Sequence, residues 1–207
     1  MKLGLFGGSF DPIHRGHVEP VLDAARALGL ARVLYLPTAR PPHKTDQALA
    51  PAAARYAMVE MALLEHPELR VDDFEMRADG PSYTIDTVRH FQKVSPDARL
   101  HYLIGGDALP GLPTWRSAEE LLRRVDLVVL ARPGWRLDEA LDRLSPDTRS
   151  LLAAASVHRI DNRLCDVSST RLREQLARGA REEARHALDP LVLRYALKYG
   201  LYQASDA

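Results

Sequence analysis

The sequence predicts an open α/β sheet, and three observations carry that expectation. Short apolar runs that read as strands alternate with segments whose apolar residues recur at helical spacing. The first two strands are separated by one helix, a βαβ unit that calls for parallel strands and a right-handed crossover. A glycine-rich turn stands between the first strand and that helix.

Taken in order, Lys2–Phe6 reads as the first strand and Gly7–Asp11 as the turn. Val18, Val21, Leu22, Ala25 and Leu28 mark one face of a helix that stops at Gly29. Arg32–Leu36 is a buried strand ending at Pro37. Thr38–Pro51, with three prolines and Pro37 just before it, reads as a functional flap. Ala52–Glu65 follows as a helix, Val71–Met76 as a strand and Thr84–Val94 as a helix. Leu100–Ile104 and Leu127–Leu130 are apolar enough for central strands, with a helix near Ala118–Arg124 between them. Ser156–Ile160 completes the strands. Closing helices begin near Ser168, over an Arg-rich stretch to Arg185, and near Pro190, and Gln203–Ala207 reads as a frayed tail.

At 207 residues and 46% hydrophobic content, the chain supports a single domain over 1–207, its helical portion starting at about 168. Lys plus Arg and Asp plus Glu number 28 each. No global charge therefore draws the chain to nucleic acid or a membrane, although a local basic pocket remains compatible with the count. The single cysteine, Cys165, cannot form an internal disulfide and reads as a cytosolic thiol. No apolar run reaches the roughly 18 residues of a membrane span, and the first residues lack a secretory leader, so the expected location is cytoplasmic.

The chemistry concentrates in Gly7-Gly8-Ser9-Phe10-Asp11-Pro12-Ile13-His14-Arg15-Gly16-His17. In open α/β sheets, ligands bind beyond the carboxyl ends of the strands, where this turn falls. Gly7 and Gly8 let backbone approach a ligand, and the helix start offers N–H groups and a positive dipole end suited to phosphate. His14 and His17, three apart, share one side of a helical turn. The segment is neither a Walker loop nor a G-x-G-x-x-G fingerprint. Near the other end, Val167-Ser168-Ser169-Thr170-Arg171-Leu172-Arg173 is a capped helix start with Arg173 one turn in. Alone it is an ordinary cap; paired with the first segment it is a phosphate clamp.

His14-Arg15-Gly16-His17 resembles the His-x-Gly-His element of the nucleotidylyltransferase superfamily. Ser168–Arg173 resembles its Ile-Ser-x-Thr-x-x-Arg motif, with Val167 for the isoleucine. Pro41-Pro42-His43-Lys44, Arg55 with Met58, Pro81-Ser82-Tyr83-Thr84, Gly105-Gly106-Asp107, Pro113-Thr114-Trp115 and Arg132-Pro133-Gly134 follow in order. These segments narrow the resemblance to bacterial nicotinate-nucleotide adenylyltransferases over nearly the whole chain. The resemblance implies a Rossmann-like open parallel sheet of nucleotidylyltransferase type, with helices on both faces.

It also implies adenylyl transfer from ATP to nicotinate mononucleotide, with Mg²⁺ brought in on the triphosphate. The 5′-phosphate attacks the α-phosphorus directly, so no general base is needed. On this resemblance His14, His17, Lys44 and Arg173 are the catalytic set. Gly7, Gly8, Ser9, Phe10, Gly105, Asp107, Arg132, Ser168, Ser169 and Thr170 join the histidines and Arg173 around ATP. Ser9, Lys44, Tyr83, Thr84 and Trp115 meet the nicotinate nucleotide. Trp115 stacks on the pyridine ring or packs; Thr84 binds a carboxylate through its amide or caps a helix; Asp107 meets ribose or adenine or caps a turn. A helix N-terminus lowers a histidine pKa and a triphosphate raises it, so protonated, donating histidines are expected in the complex. Trp135 is expected to pack or to line a loop edge. His66, His90, His101, His158 and His186 share no metal-ligand spacing, so no protein-held metal is expected. Two alternatives remain: a sister transferase such as pantetheine-phosphate adenylyltransferase or a cytidylyltransferase, and a nucleotide-sensing module without chemistry.

Overall fold

The structure, a computed structural model, describes residues 1–39, 49–78, 80–133 and 144–203. Most of the flap expected over Thr38–Pro51, with Pro41–Lys44, lies outside the described residues, as do Gly134, Trp135 and the tail beyond Gln203.

Six described strands form one parallel sheet: β1 (Lys2–Gly8), β2 (Arg32–Pro37), β3 (Leu69–Val71), β4 (Arg99–Gly105), β5 (Asp126–Leu130) and β6 (Val157–Ile160). Their spatial order is β3-β2-β1-β4-β5-β6, so the winding reverses between β1 and β4. Eight described α-helices accompany them: α1 (Arg15–Leu28), α2 (Ala52–Leu63), α3 (Thr84–Val94), α4 (Ala118–Arg124), α5 (Pro146–Ala153), α6 (Ser169–Ala177), α7 (Arg181–Arg185) and α8 (Pro190–Lys198).

Strand residues alternate between two cores, as the period of two requires. Phe6, Leu103, Val128 and Leu130 pack with α1, α2 and the C-terminal helices. Leu5, Tyr102, Ile104, Leu127 and Val129 pack with α3 and α4 on the other face. Helices therefore cover both faces, and the C-terminal helical portion shares the core on one of them. Among the described residues no helix is long and apolar enough to cross a membrane.

Local chemistry sets the helix ends. Gly29 adopts φ 63° and closes α1 with amide bonds to Ala25 and Arg26 carbonyls. Ser145 caps α5 by accepting from the Thr148 amide, and Asp189 caps α8 by accepting from the Leu191 amide; Pro follows each cap.

Three expectations are corrected. The strand expected at Val71–Met76 is β3, Leu69–Val71, followed by a 3-10 turn at Phe74–Met76. Leu69 to Val71 pair with Val33 to Tyr35, and the Asp72 carboxylate then accepts the Phe74 amide at 2.9 Å, turning the chain off the sheet edge. The Arg-rich helix expected to run from Ser168 to Arg185 is two, α6 and α7, parted at Gly179 with φ 75°. Finally, a 3-10 segment at Gly106–Thr114 and helix α5 were not anticipated; Pro110 and Pro113 break the periodicity of the first.

Gly4 explains how closely β1 and β2 pack. A Cβ there would lie 2.9 Å from Val33 Cγ2 and 3.1 Å from Leu30 Cδ1. Val33 is branched and fully buried, so it cannot swing away. Gly4→Ala is expected to destabilise by about 1–3 kcal/mol. Urea unfolding should show a lower midpoint at unchanged slope; an unchanged midpoint would refute the packing.

Candidate active site

The winding reversal places a crevice beyond the carboxyl ends of β1 and β4. The turn leaving β1 fills one wall of it. His14 is the cap residue of α1, in extended conformation, and its amide donates to His17 Nδ1 at 3.3 Å. The two imidazoles stack, centroids 3.7 Å apart at 27°. His17 meets the ring of Phe10 edge-on at 5.3 Å, and its carbonyl accepts from the Tyr35 hydroxyl at 2.9 Å. Because His17 Nδ1 accepts, the neutral ring carries its proton on Nε2.

His14 is 3% exposed, and its Nδ1 is buried without a hydrogen-bond partner. Burial first, and the Arg132 charge second, lower its pKa to about 3. The ring is thus neutral in the free protein. The charged donor expected in the complex needs an anion delivered to it.

Arg132 reaches the turn for a backbone reason. Pro20 lies inside α1 and has no N–H, so the carbonyl four residues earlier, that of Gly16, lacks its helical donor. Arg132 Nη1 donates to that carbonyl at 3.0 Å. Its Nε is buried without a hydrogen-bond partner, 3.7 Å from Asp107 Oδ1. A Cβ on Gly105 would lie 2.3 Å from Asp107 Oδ1 and 2.9 Å from Arg132 Nε, so a side chain there would displace this pair.

The two phosphate-type segments meet. Ser168 caps α6 by accepting from the Arg171 amide at 3.2 Å. Ser169 Oγ donates to the Pro12 carbonyl at 3.0 Å, and Arg173 Nη1 donates to the Asp11 carbonyl at 2.7 Å. Arg173 Nη2 also donates to Thr170 Oγ1 at 3.3 Å. Ser168 and Thr170 are exposed at this edge.

On the other face, Tyr102 gathers the remaining candidates. Its hydroxyl shares a 3.3 Å hydrogen bond with Thr84 Oγ1, and its ring meets Trp115 edge-on at 6.2 Å. A Cβ on Gly7 would sit 2.8 Å from that hydroxyl, so the missing side chain lets Tyr102 lie against β1. Thr84 opens α3 behind Tyr83, a cap residue without a side-chain cap bond, and the Arg116 guanidinium covers the Tyr83 ring at 4.7 Å. Trp115 is half-buried beside a groove of about 830 Å³ that also takes in Pro113, Glu119 and Leu151. None of the phosphate-turn residues lines that groove.

His14 and His17 stack, Arg132 links Gly16 to Asp107 beside Gly105, Ser169 and Arg173 bond the turn at Pro12 and Asp11, and Arg55 holds Ser9; Gly7 backs Tyr102, which Thr84 and Trp115 meet. Phe10 enters the site through its backbone alone. Its ring is 1% exposed, packed against Phe6 and Tyr35, so it supports His17 and cannot offer its side chain to ATP. Lys44 lies outside the described residues. Cys165 donates to Glu19 at 3.2 Å; burial and that carboxylate push its pKa up to about 11, which keeps it a protonated thiol.

Four supporting residues carried no role in the sequence reading. Asp11 is buried, and its Oδ1 accepts from the Tyr202 hydroxyl at 2.7 Å and the Ala50 amide at 3.2 Å. Arg55, 1% exposed, donates to the carbonyls of Ser9, Ala50 and Ala39. It holds the turn to both stems of the flap. Its signal was an arginine on the apolar face of α2 with Met58 and Val59. Glu75 is buried, accepting from Thr38 Oγ1 at 2.9 Å and Thr87 Oγ1 at 2.8 Å; burial raises its pKa against both bonds. Tyr102 is the fourth, hidden in the sequence as one more apolar strand residue.

Comparison with known proteins shows the family. The cytidylyltransferase-like family matches residues 5–175. An Aeromonas hydrophila protein named "Probable nicotinate-nucleotide adenylyltransferase" is 40% identical over 97% of each chain. A Thermus thermophilus protein of the same name is 39% identical over 98% of this chain and all of its own. A solved Plasmodium falciparum nicotinic acid mononucleotide adenylyltransferase complexed with NaAD superimposes with TM-score 0.78 over 97% of each chain, at 20% identity. That last likeness concerns the fold.

The neutral His14 predicts acid sensitivity. Its folded pKa, about 3, lies below the unfolded value of 6.5. As pH falls through 6.5 the unfolded chain takes up a proton that the folded chain refuses, so stability is lost progressively down to the folded pKa. The loss should reach on the order of 2 kcal/mol by pH 5. In urea titrations from pH 7 to 4, His14→Asn should lose stability less steeply than the parent. Parallel curves would mean that His14 takes its proton normally.

Proposed function

The chain belongs to the cytidylyltransferase-like family, and within it to the nicotinate-nucleotide adenylyltransferases, and from that premise we propose how its residues carry the reaction. The enzyme transfers the adenylyl group of ATP to nicotinate mononucleotide, giving nicotinate adenine dinucleotide and pyrophosphate in NAD biosynthesis. The observation that carries the residue assignment is the stacked His14–His17 pair at the winding reversal, with the α6 start fastened beside it.

In this reading the triphosphate lies across the start of α1. His17 Nε2–H donates to an α-phosphate oxygen, and His14 takes up a proton as the anion arrives. Gly7 and Gly8 leave room for the chain of phosphates to approach backbone. Arg132, whose Nε lies in an ion pair with Asp107 and makes no hydrogen bond, adds its charge to the same phosphates. Ser168, Thr170 and the remaining N–H groups of α6 face the departing pyrophosphate. Arg173, engaged with Asp11, holds the two walls together and adds its charge. Gly105 and Asp107 border the adenosine, and Ser9 and Lys44 border both nucleotides.

A divalent metal accompanies ATP, and we take it to be Mg²⁺ entering as part of the substrate. The described crevice supplies nitrogen donors and a single exposed carboxylate, Asp107, that already faces Arg132. That set suits the phosphates more than an oxygen cage for the ion. Nicotinate mononucleotide enters along the Tyr102 face, its ring against Trp115 and its carboxylate at the α3 start beside Thr84. Its phosphate is already an anion, so positioning and charge stabilisation suffice. We place the enzyme in the cytoplasm, where both nucleotides are made and used.

The reading is tested by pyrophosphate release with MgATP and, separately, nicotinate mononucleotide, nicotinamide mononucleotide and phosphopantetheine. Turnover should strongly favour the first; turnover with phosphopantetheine alone would assign the site to a different acceptor. His17→Ala should lower kcat by about a hundredfold, the scale for losing one transition-state donor. Trp115→Ala should instead raise KM for nicotinate mononucleotide by roughly tenfold, as expected for lost stacking. An unchanged KM would remove Trp115 from the pocket.

A further inference from the structure

All six strands run the same way, so their first residues share one edge of the sheet, opposite the phosphate crevice. Three side chains at that edge point to the same face. His101 of β4 pairs in register with Asp126 of β5, and His158 of β6 pairs with Val128, two residues after Asp126. Spacing along the sequence concealed this cluster, and the absence of metal-ligand spacing among the histidines is therefore no guide here. Among the described residues it is the one group of histidine and carboxylate ligands that can converge on an ion, with donor atoms all within 4.8 Å of one another.

The proton positions make the cluster unusual. His101 Nδ1 lies 3.1 Å from the Arg99 carbonyl, which can only accept, so Nδ1 carries the ring proton. Nε2 then turns its lone pair toward Asp126 Oδ2, 3.4 Å away. The Arg99 guanidinium bonds Oδ2 from the exposed side, and the gap between Oδ2 and Nε2 holds no donor hydrogen, so a cation fits there with a ligand on each side. His158 Nε2 is likewise buried and without a hydrogen-bond partner. His101 is 1% exposed and Asp126 5%.

We propose that His101, Asp126 and His158 bind one divalent transition-metal ion of the zinc type, tying together β4, β5 and β6. Two imidazole nitrogens and a carboxylate are a zinc-type donor set. A tetrahedral ion with bonds of about 2.1 Å spaces its ligands roughly 3.4 Å apart, which the His101–Asp126 pair already meets. His158, on the short edge strand, closes the remaining gap by side-chain rotation. The Arg99 carbonyl fixes the His101 ring, as metal-bound histidines require of their other nitrogen. Arg99 grips both Asp126 oxygens, but its side chain is 64% exposed and is free to keep Oδ1 while Oδ2 takes the metal. The site is roughly 13 Å along β4 from Gly105, at about 3.3 Å per residue, and is therefore separate from the phosphate crevice.

The test uses the full chain stripped with chelator and then dialysed against Zn²⁺ alone, with bound metal quantified; Co²⁺ serves as the absorbing probe of tetrahedral geometry. One ion per chain is expected at micromolar or tighter affinity, weakened at least tenfold in His158→Gln and in Asp126→Asn. Zn²⁺ should raise the Tm of the parent and leave that of His158→Gln unmoved. Adenylyl transfer with MgATP should be equal in the parent and His158→Gln, which also shows that the variant folds. No stoichiometric ion in the parent, or equal binding in both variants, overturns the site; the latter places the metal elsewhere, for example at the His14–His17 pair.

Discussion

The buried carboxylate of Asp11 organises the active site. A carboxylate at 1% exposure must be answered locally, and three other parts of the chain answer it. Arg173 from α6 stands 3.7 Å from Oδ2 and bonds the Asp11 carbonyl; the Tyr202 hydroxyl and the Ala50 amide bond Oδ1. The phosphate turn, the end of the flap, the α6 motif and the turn after the last helix are thereby fixed to one another. Removing one partner of such a pair costs about 3–5 kcal/mol, so the turn has little freedom to relax. Arg55 repeats the device from below by holding the Ser9 carbonyl to the flap stems. A preorganised turn is what phosphoryl chemistry asks of a protein, since the charge to be stabilised arises faster than a loose loop could order.

The two halves of the site use different physics. On the phosphate side, a neutral His14 stacked on His17, the Arg132 guanidinium beside Asp107 and a helix start wait for an anion. Holding His14 neutral avoids a buried cation before substrate binds, and the triphosphate then supplies the charge that makes protonation favourable. On the other side an aromatic wall meets a buried hydroxyl network. Glu75 holds Thr38 and Thr87 from one element each, and Tyr102 joins Thr84 to the back of Gly7. Gly7 stands between the halves, which accounts for a glycine there better than backbone freedom does.

Much of this was legible in the sequence, and what was not has identifiable causes. The strand, turn and helix at Lys2–Leu28 were readable because glycines, capping and apolar period agree over a short span. The segment at 69–76 was misplaced because one apolar residue, Leu69, begins a strand of only three residues before Asp72 turns the chain. The break at Gly179 was written in the sequence but outweighed by the arginine-rich run on either side. The reach of Arg132 to α1 had a sequence cause, Pro20 depriving Gly16 of its donor, yet the partner lay 116 residues away. Asp11, Arg55 and the His101–Asp126–His158 cluster depend on register and burial between distant segments. Spacing along the chain does not encode those relations.

On this reading the crevice aligns two nucleotides for a single in-line displacement at the α-phosphorus, with no adenylyl group passing through the protein. Stereochemistry is the decisive measurement. Adenosine 5′-O-(1-thiotriphosphate) of one configuration, with Mg²⁺ and nicotinate mononucleotide, should give a thio-dinucleotide inverted at phosphorus, as one displacement requires. Retention would mean two displacements and a covalent adenylyl-enzyme, and would contradict the assignment of the stacked histidines to charge stabilisation alone.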